Sequence, residues 1–222
     1  RKAARYNLMV DIHDEYRPTG YSRTYPNLLT QEGIRGNECM PDANHNTTMP
    51  FTRFLAGAAD YTICYYHQAG LKPNINPIKT TSAHQLALSV IFYSPLQFVF
   101  WYDKPSDYQG EPEVQFFEHL PTVWDTTKVL LGEIGKYAAI ARLKGDTWFV
   151  GAITNNDGRR LSIPLEFLDP ARQYTATLYM DGGPETKTRT RVRMDDRPVT
   201  ARSVIDAVLQ PSGGVAMEIR PV

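Results

Sequence analysis

The stretch VDIHDEYRPTGYSRTYPNLLTQEGIRGNE, residues 10–38, decides how the first half of this chain is read. An apolar run from Tyr6 to Val10, continuing to Ile12, leads straight into Asp11, His13, Asp14 and Glu15. Read as a buried parallel strand, it ends in ionisable groups. Carboxylates and imidazoles at the C-terminal ends of parallel strands are where an α/β barrel keeps its chemistry. The segment that follows carries Arg17, Arg23 and Arg35, then Glu32 and Glu38. It reads as a long loop reaching to about residue 47, and loops of that length usually carry function.

Upstream, Arg1 to Arg5 reads as the last turn of a helix, with cations at its C-terminus. A strand directly after it suggests a chain entering midway through a βαβα series, hence a fragment of a longer protein. Downstream, Pro50 to Ala58 reads as helical or irregular, and Asp60 to Tyr66 as a β-rich run. Residues 70–79 read as loop. Thr80 to Tyr93 reads as a helix, capped by Thr80, Thr81 or Ser82, with Leu86, Ala87, Val90 and Ile91 as its apolar stripe. Ser94 to Phe98 is then expected as a strand, residues 103–113 as loop, and Val114 to His119 as a short helix.

The texture changes near residue 125. Short alternating runs follow: Tyr137 to Leu143, Thr147 to Asn155, Leu161 to Pro164, Tyr174 to Met180, Thr188 to Met194, Ser203 to Leu209 and Gly214 to Arg220. Turn residues separate them, such as Lys144-Gly145-Asp146 and Asp181-Gly182-Gly183-Pro184. That spacing predicts an antiparallel β-sandwich. Asp195-Asp196 and Asn155-Asn156-Asp157 are read as turn residues. The expected architecture is therefore α/β plus all-β: part of a barrel over residues 1–128 and a β-sandwich over 129–222.

Bulk properties narrow the function. The chain has 222 residues, 42% of them hydrophobic, and a formal net charge of zero. A balanced charge argues against a nucleic-acid partner, and no apolar run is long enough to span a membrane. Cys39 and Cys64 are its two cysteines and read as free thiols. The histidines, at 13, 45, 67, 84 and 119, lack zinc-ligand spacing. There is no Gly-x-Ser-x-Gly elbow and no Gly-rich phosphate loop. Paired acids remain, and two chemistries want them. Glycoside hydrolysis needs an acid and a second carboxylate. A hard cation such as Ca²⁺ needs several oxygen ligands. A bland alternative pairs these acids with Arg17, Arg23 and Arg35.

His13-Asp14-x-x-Arg17-Pro18-Thr19-Gly20, then Arg23-Thr24-Tyr25-Pro26-Asn27-Leu28 and Glu32-x-x-Arg35-Gly36-x-Glu38, resembles glycoside hydrolase family 97. The resemblance continues through Pro50-Phe51-Thr52-Arg53, Gly57-Ala58-Ala59-Asp60-Tyr61-Thr62, Gln85-Leu86-Ala87-Leu88, Tyr93 to Gln97, Trp124-Asp125 and Tyr137 to Arg142. It implies a calcium-dependent α-galactosidase or α-glucosidase, periplasmic or secreted, acting on α-galactosides or α-glucosides. It implies that this chain holds the C-terminal half of a (β/α)8 TIM barrel followed by the β-sandwich.

By position, the resemblance makes Glu38 the general acid, or acid/base in retaining members. It makes Glu32 and Asp14 calcium ligands and His13 a sugar contact. Inverting relatives carry Glu where this chain has Asp14, which favours the retaining branch. The nucleophile of that branch would lie upstream of Arg1. The chain alone is then expected to be inactive without the missing N-terminal part or another copy. A contrasting expectation is a non-catalytic carbohydrate-binding or assembly fragment.

Overall fold

The structure is a computed structural model that describes residues 1–13, 16–64, 78–101 and 105–222. Asp14, Glu15, most of the expected 70–79 loop, Tyr65, Tyr66 and part of the 103–113 loop lie outside the described residues. Helix α1 (Lys2–Arg5) is followed by β1 (Val10–Ile12), α2 (Tyr21–Thr24) and β2 (Leu28–Gln31). Then come α3 (Ala43–Thr48), β3 (Ile63–Cys64), α4 (Ser82–Ile91), β4 (Val99–Phe100) and α5 (Val114–His119). Eight longer strands complete the chain: β5 (Thr126–Glu133), β6 (Tyr137–Lys144), β7 (Thr147–Thr154), β8 (Arg159–Pro164), β9 (Tyr174–Asp181), β10 (Val192–Val199), β11 (Val204–Leu209) and β12 (Gly214–Pro221).

The second half is an antiparallel sandwich of unequal layers. One sheet has six strands in the order β10-β9-β12-β7-β6-β5, and the facing layer is the β11-β8 ladder. Leu161, Ile163, Ile205, Ala207 and Leu209 from the ladder meet Ala139, Val150, Leu178, Val215 and Met217 from the large sheet in one core. The ladder alternates as a strand with one wet face should, with Ile205, Ala207 and Leu209 inward and Val204, Asp206 and Val208 outward.

The central strands do not alternate. Every residue from Ala138 to Arg142, and from Trp148 to Thr154, is buried. The reason is α4, which lies across the outer face of the large sheet and turns the sandwich into three layers. Leu86 and Val90 pack with Phe149, Tyr179 and Ala216. Ala87, Leu88 and Ile91 pack with Ala138, Ile140 and Ile153. All ten residues of α4 are buried, so the single apolar stripe expected of a surface helix is replaced by burial all round. Its backbone comes unusually close to the sheet. A Cβ on Gly151 would stand 2.4 Å from the Ala87 carbonyl oxygen, and one on Gly214 would stand 2.7 Å from the His84 Cα.

Several expectations are corrected. The expected buried strand over Leu8–Ile12 shortens to Val10–Ile12, and it is not buried: Val10 and Asp11 are half-buried and Ile12 is exposed, as are Leu8 and Met9 before it. The long loop after it contains β2, whose Leu-Leu-Thr-Gln run pairs in parallel with β1. Ser94–Phe98 is not a strand. Gln97 Nε2 donates to the Phe92 and Ser89 carbonyls, folding that segment under the end of α4, and the strand follows at Val99. Thr126–Glu133, expected only as a boundary, is an edge strand of the large sheet. Asp195 and Asp196 sit within β10 and not in a turn. They tolerate it because β10 is an edge strand: Asp195 pairs with Arg197, and Asp196 accepts the Thr177 hydroxyl. Asn155-Asn156-Asp157 does form the turn after β7.

Candidate active site

Two parallel ladders, β1-β2 and β3-β4, carry the first half. The β1-β2 register sets Ile12 against Gln31, and the Glu32 amide donates to the Ile12 carbonyl across 2.8 Å. Residues 13 and 32 therefore leave adjacent strands at the same C-terminal end. There His13 Nδ1 lies 3.4 Å from Glu32 Oε2. The imidazole is 65% exposed and the carboxylate 9%, so the acid is sunk in the floor with the histidine at its mouth. Parallel pairing thus brings together two groups that are far apart in sequence.

The loop that carries Glu32 is held by a cation. Arg53 donates to the carbonyls of Gln31, Glu32 and Gly33, and also to those of Gly57 and Ala58. Burial lowers the pKa of this guanidinium, and the gathered carbonyl dipoles offset part of that cost. Gly33 is obligatory beside it. Its φ is +39°, and a Cβ there would fall 2.3 Å from the Tyr16 carbonyl oxygen.

A pair of acids lies close by, Asp60 with Asp11, and it did not enter the sequence-derived site. Asp60 is 3% exposed, and its amide donates to the Gln31 carbonyl across 3.4 Å. Burial first, and then a hydrogen bond with Asp11, push its carboxyl up to about 6. Asp11 lies in the middle of β1, two residues before His13. Nothing local marks Asp60, because its partner is 49 positions away in sequence and meets it only through the fold.

Glu38 is presented differently. It is exposed and lies on a single 3-10 turn, Asn37–Cys39. Asn37 pins that turn from inside. Its amide donates to the Tyr61 carbonyl across 2.9 Å, and its Nδ2 donates to Gln85 Oε1 of α4, also across 2.9 Å. The Glu38 carboxylate folds back over Gly36 and accepts the Cys39 thiol at 3.7 Å. Among the described residues no ion pair joins Glu38 to Arg17, Arg23 or Arg35. Cys39 is a free, exposed thiol.

As a metal site the arrangement is incomplete. Glu32 is a buried oxygen donor of the kind Ca²⁺ takes. Among the described residues no group of three or more acidic, histidine or cysteine side chains is arranged to hold a metal ion, and Asp14 lies outside them. A cleft of about 610 Å³ lies elsewhere: Thr80, Thr81, Asp181, Arg189, Arg191 and Gln210 are among its walls. None of Glu38, Glu32 and His13 lines it. The candidate site is the pair of strand ends where the Glu32 carboxylate meets the His13 imidazole.

Comparison with known proteins bears on both halves. A family profile described as glycosyl-hydrolase 97 C-terminal, oligomerisation, matches residues 123–220, and one described as glycoside hydrolase 97 matches residues 1–34. A protein from Bacteroides thetaiotaomicron named retaining alpha-galactosidase is 36% identical over 98% of this chain and 34% of its own length. A probable retaining alpha-galactosidase from Streptomyces bingchenggensis is 35% identical over 73% of this chain and 25% of its own. The chain spans about a third or less of these relatives. A glycoside hydrolase family 97 enzyme from Pseudoalteromonas sp. strain K8, solved in complex with acarbose, superposes with a TM-score of 0.87 at 33% identity. That match covers 99% of this chain and 36% of the other.

Proposed function

The chain belongs to glycoside hydrolase family 97, and from that premise we propose that it carries the proton-transfer half of a retaining α-galactosidase. The observation that carries this reading is the kinship with a retaining alpha-galactosidase along almost the whole chain, Glu38 turn included. In this reading residues 1–128 are the last part of a (β/α)8 barrel and 129–222 its C-terminal sandwich. The two parallel ladders supply barrel strands, and the missing strands belong to the rest of the enzyme.

The chemistry is a double displacement. A carboxylate upstream of Arg1 attacks the anomeric carbon while Glu38 gives its proton to the departing glycosidic oxygen. The C–O bond breaks and a glycosyl-enzyme ester forms. Glu38, now a carboxylate, takes a proton from water. That water attacks the anomeric carbon and releases the nucleophile. His13, exposed at the mouth, binds a sugar hydroxyl. An α-glucoside is the alternative substrate.

Calcium would be held by Glu32 and Asp14 and would orient sugar hydroxyls. An ion that takes about six to eight oxygens would need further ligands besides these two carboxylates. Lacking the nucleophile, the chain alone would not turn over substrate, and a periplasmic or secreted setting suits an oligosaccharide hydrolase.

Changing Glu38 to Gln in the full-length enzyme should abolish turnover of α-galactosides with poor leaving groups. Unchanged turnover would remove Glu38 from the mechanism. Chelation with EGTA should lower activity, and Ca²⁺ should restore it; indifference to chelation would sink the metal assignment. A second reading, as an assembly module, is favoured by the oligomerisation description of the profile over residues 123–220. It would show as a loss of oligomeric mass when the sandwich is deleted, and a second copy of the enzyme is the partner it implies.

A further inference from the structure

We propose that Gln85 is a positioning residue for Glu38, so that helix α4, and through it the C-terminal sandwich, sets where the proton donor stands. The inference rests on the reading of Glu38 as the acid/base. Four observations carry it.

Glu38 has no rigid support of its own. It is an exposed residue on one 3-10 turn, closed by the Cys39 amide to the Gly36 carbonyl and the Met40 amide to the Asn37 carbonyl. The residue before it is the anchor. Asn37 is 1% exposed, and its Nδ2 donates to Gln85 Oε1 across 2.9 Å. Gln85 in turn is fully buried, and its Nε2 donates to Thr80 Oγ1 across 2.7 Å. With Oε1 and Nε2 both engaged, the side-chain amide has one orientation. A buried amide pair of this kind fixes a loop more firmly than its surface contacts can, because breaking it leaves polar groups without water.

Gln85 itself cannot drift. It sits on α4, every residue of which is buried. The helix is fastened to the sheet at its C-terminus by Arg142, whose Nε and Nη2 donate to the Val90 and Ile91 carbonyls. Near its N-terminus, His84 Nδ1 bonds the Gly213 carbonyl at 3.1 Å. The frame of reference for the acid is therefore the sandwich. This gives the C-terminal domain a task in catalysis beyond assembly.

Glu38 must hand a proton to the leaving oxygen, and well-placed general acids contribute about 10²–10⁴ in rate. Misplacing the acid should therefore cost most where protonation is needed most. The test is Gln85→Met in the full-length enzyme, a near-isosteric change that removes both hydrogen bonds. We expect kcat/KM for a galactosyl disaccharide to fall by about tenfold or more. Under the same conditions kcat/KM for dinitrophenyl α-galactoside should stay near wild type, since that leaving group needs no proton. Azide, which attacks the glycosyl-enzyme without a general base, should restore kcat on the activated substrate. Loss of equal size on both substrates would mean that Gln85 is merely structural and would overturn the proposal. No loss on either would do the same.

If Gln85→Met fails to fold, Thr80→Val is the second variant. It removes only the outer hydrogen bond and should show a smaller loss of the same selective kind; wild-type rates on both substrates, or equal losses, would overturn the proposal. Glu38→Gln run in parallel separates the two ideas. If Glu38→Gln spares the disaccharide, the acid assignment itself fails. If it shows the selective loss and Gln85→Met does not, only the positioning role fails.

Discussion

Arg142 Nε donates to the Val90 carbonyl across 2.6 Å, joining the middle of a sandwich strand to the last turn of the one long helix among the described residues. The same guanidinium reaches the Ile91 carbonyl at 3.1 Å and Thr127 Oγ1 at 2.8 Å. It lies near the rings of Tyr93 and Trp124. Helix ends leave carbonyls unpaired and carry partial negative charge, so a cation there both caps and complements the dipole. Burial lowers its pKa to about 10, which leaves it charged at neutral pH. Arg142→Met should therefore orphan two buried carbonyls and destabilise the protein by about 3 kcal/mol. Arg142→Lys, with one donor able to reach, should cost about half as much. Urea denaturation monitored by tryptophan fluorescence reads both; an unchanged midpoint for Arg142→Met would show the cap to be dispensable.

Close approach of α4 to the sheet depends on two glycines. An alanine at 151 would press its Cβ to 2.4 Å from the Ala87 carbonyl oxygen, a backbone atom that cannot swing away. Gly151→Ala should cost about 3 kcal/mol through overpacking and lower the thermal midpoint. An alanine that leaves the midpoint in place would mean that helix and sheet separate easily.

His84 makes stability depend on pH. It is wholly buried, accepting from Asn46 Nδ2 at Nε2 and donating from Nδ1 to the Gly213 carbonyl. Burial holds its pKa down to about 4, against 6.5 for the free imidazole. The fold thus favours the neutral ring, while the unfolded chain takes up a proton first. Its contribution is complete above pH 6.5 and is lost as pH falls from 6.5 toward 4, a change on the order of 3 kcal/mol. Asp60 works the other way. Its carboxyl is raised to about 6, so the folded state takes the proton first and gains stability as pH falls from 6 toward 3.8. Comparing wild type with His84→Gln isolates the histidine. Their stability difference should shrink steadily between pH 6.5 and 4, and a constant difference would contradict the assignment.

Gly36 keeps room for the acid. A Cβ there would lie 2.6 Å from Glu38 Oε2, while the φ of −73° suits any residue. The clash falls on the end of a flexible side chain, so Gly36→Ala should leave the stability within about 0.5 kcal/mol of wild type. It should nonetheless displace the carboxylate and slow α-galactoside turnover. Wild-type kinetics in a folded Gly36→Ala enzyme would show that the carboxylate does not act from that position.

By itself the sequence determined the sandwich and the family. A run such as Ile205, Ala207 and Leu209 alternating with Asp206 and Val208, one of several divided by turns of Gly, Asn and Asp, has one reading, because a strand with one wet face repeats every second residue. The string from His13 to Glu38 carried the candidate acid and its neighbours in a spacing that local structure hardly disguises. Tertiary structure alone decided the rest. β2 and β4 are too short to announce themselves, and their pairing is non-local. Asp60 became a proton-holding group only when folding set it against Asp11 and took both from water. Gln85 reads in sequence as one more position on a helix. Its meeting with Asn37, 48 positions away, follows from the burial of α4 on a sheet whose strands come from the far end of the chain, and no local pattern encodes that distance.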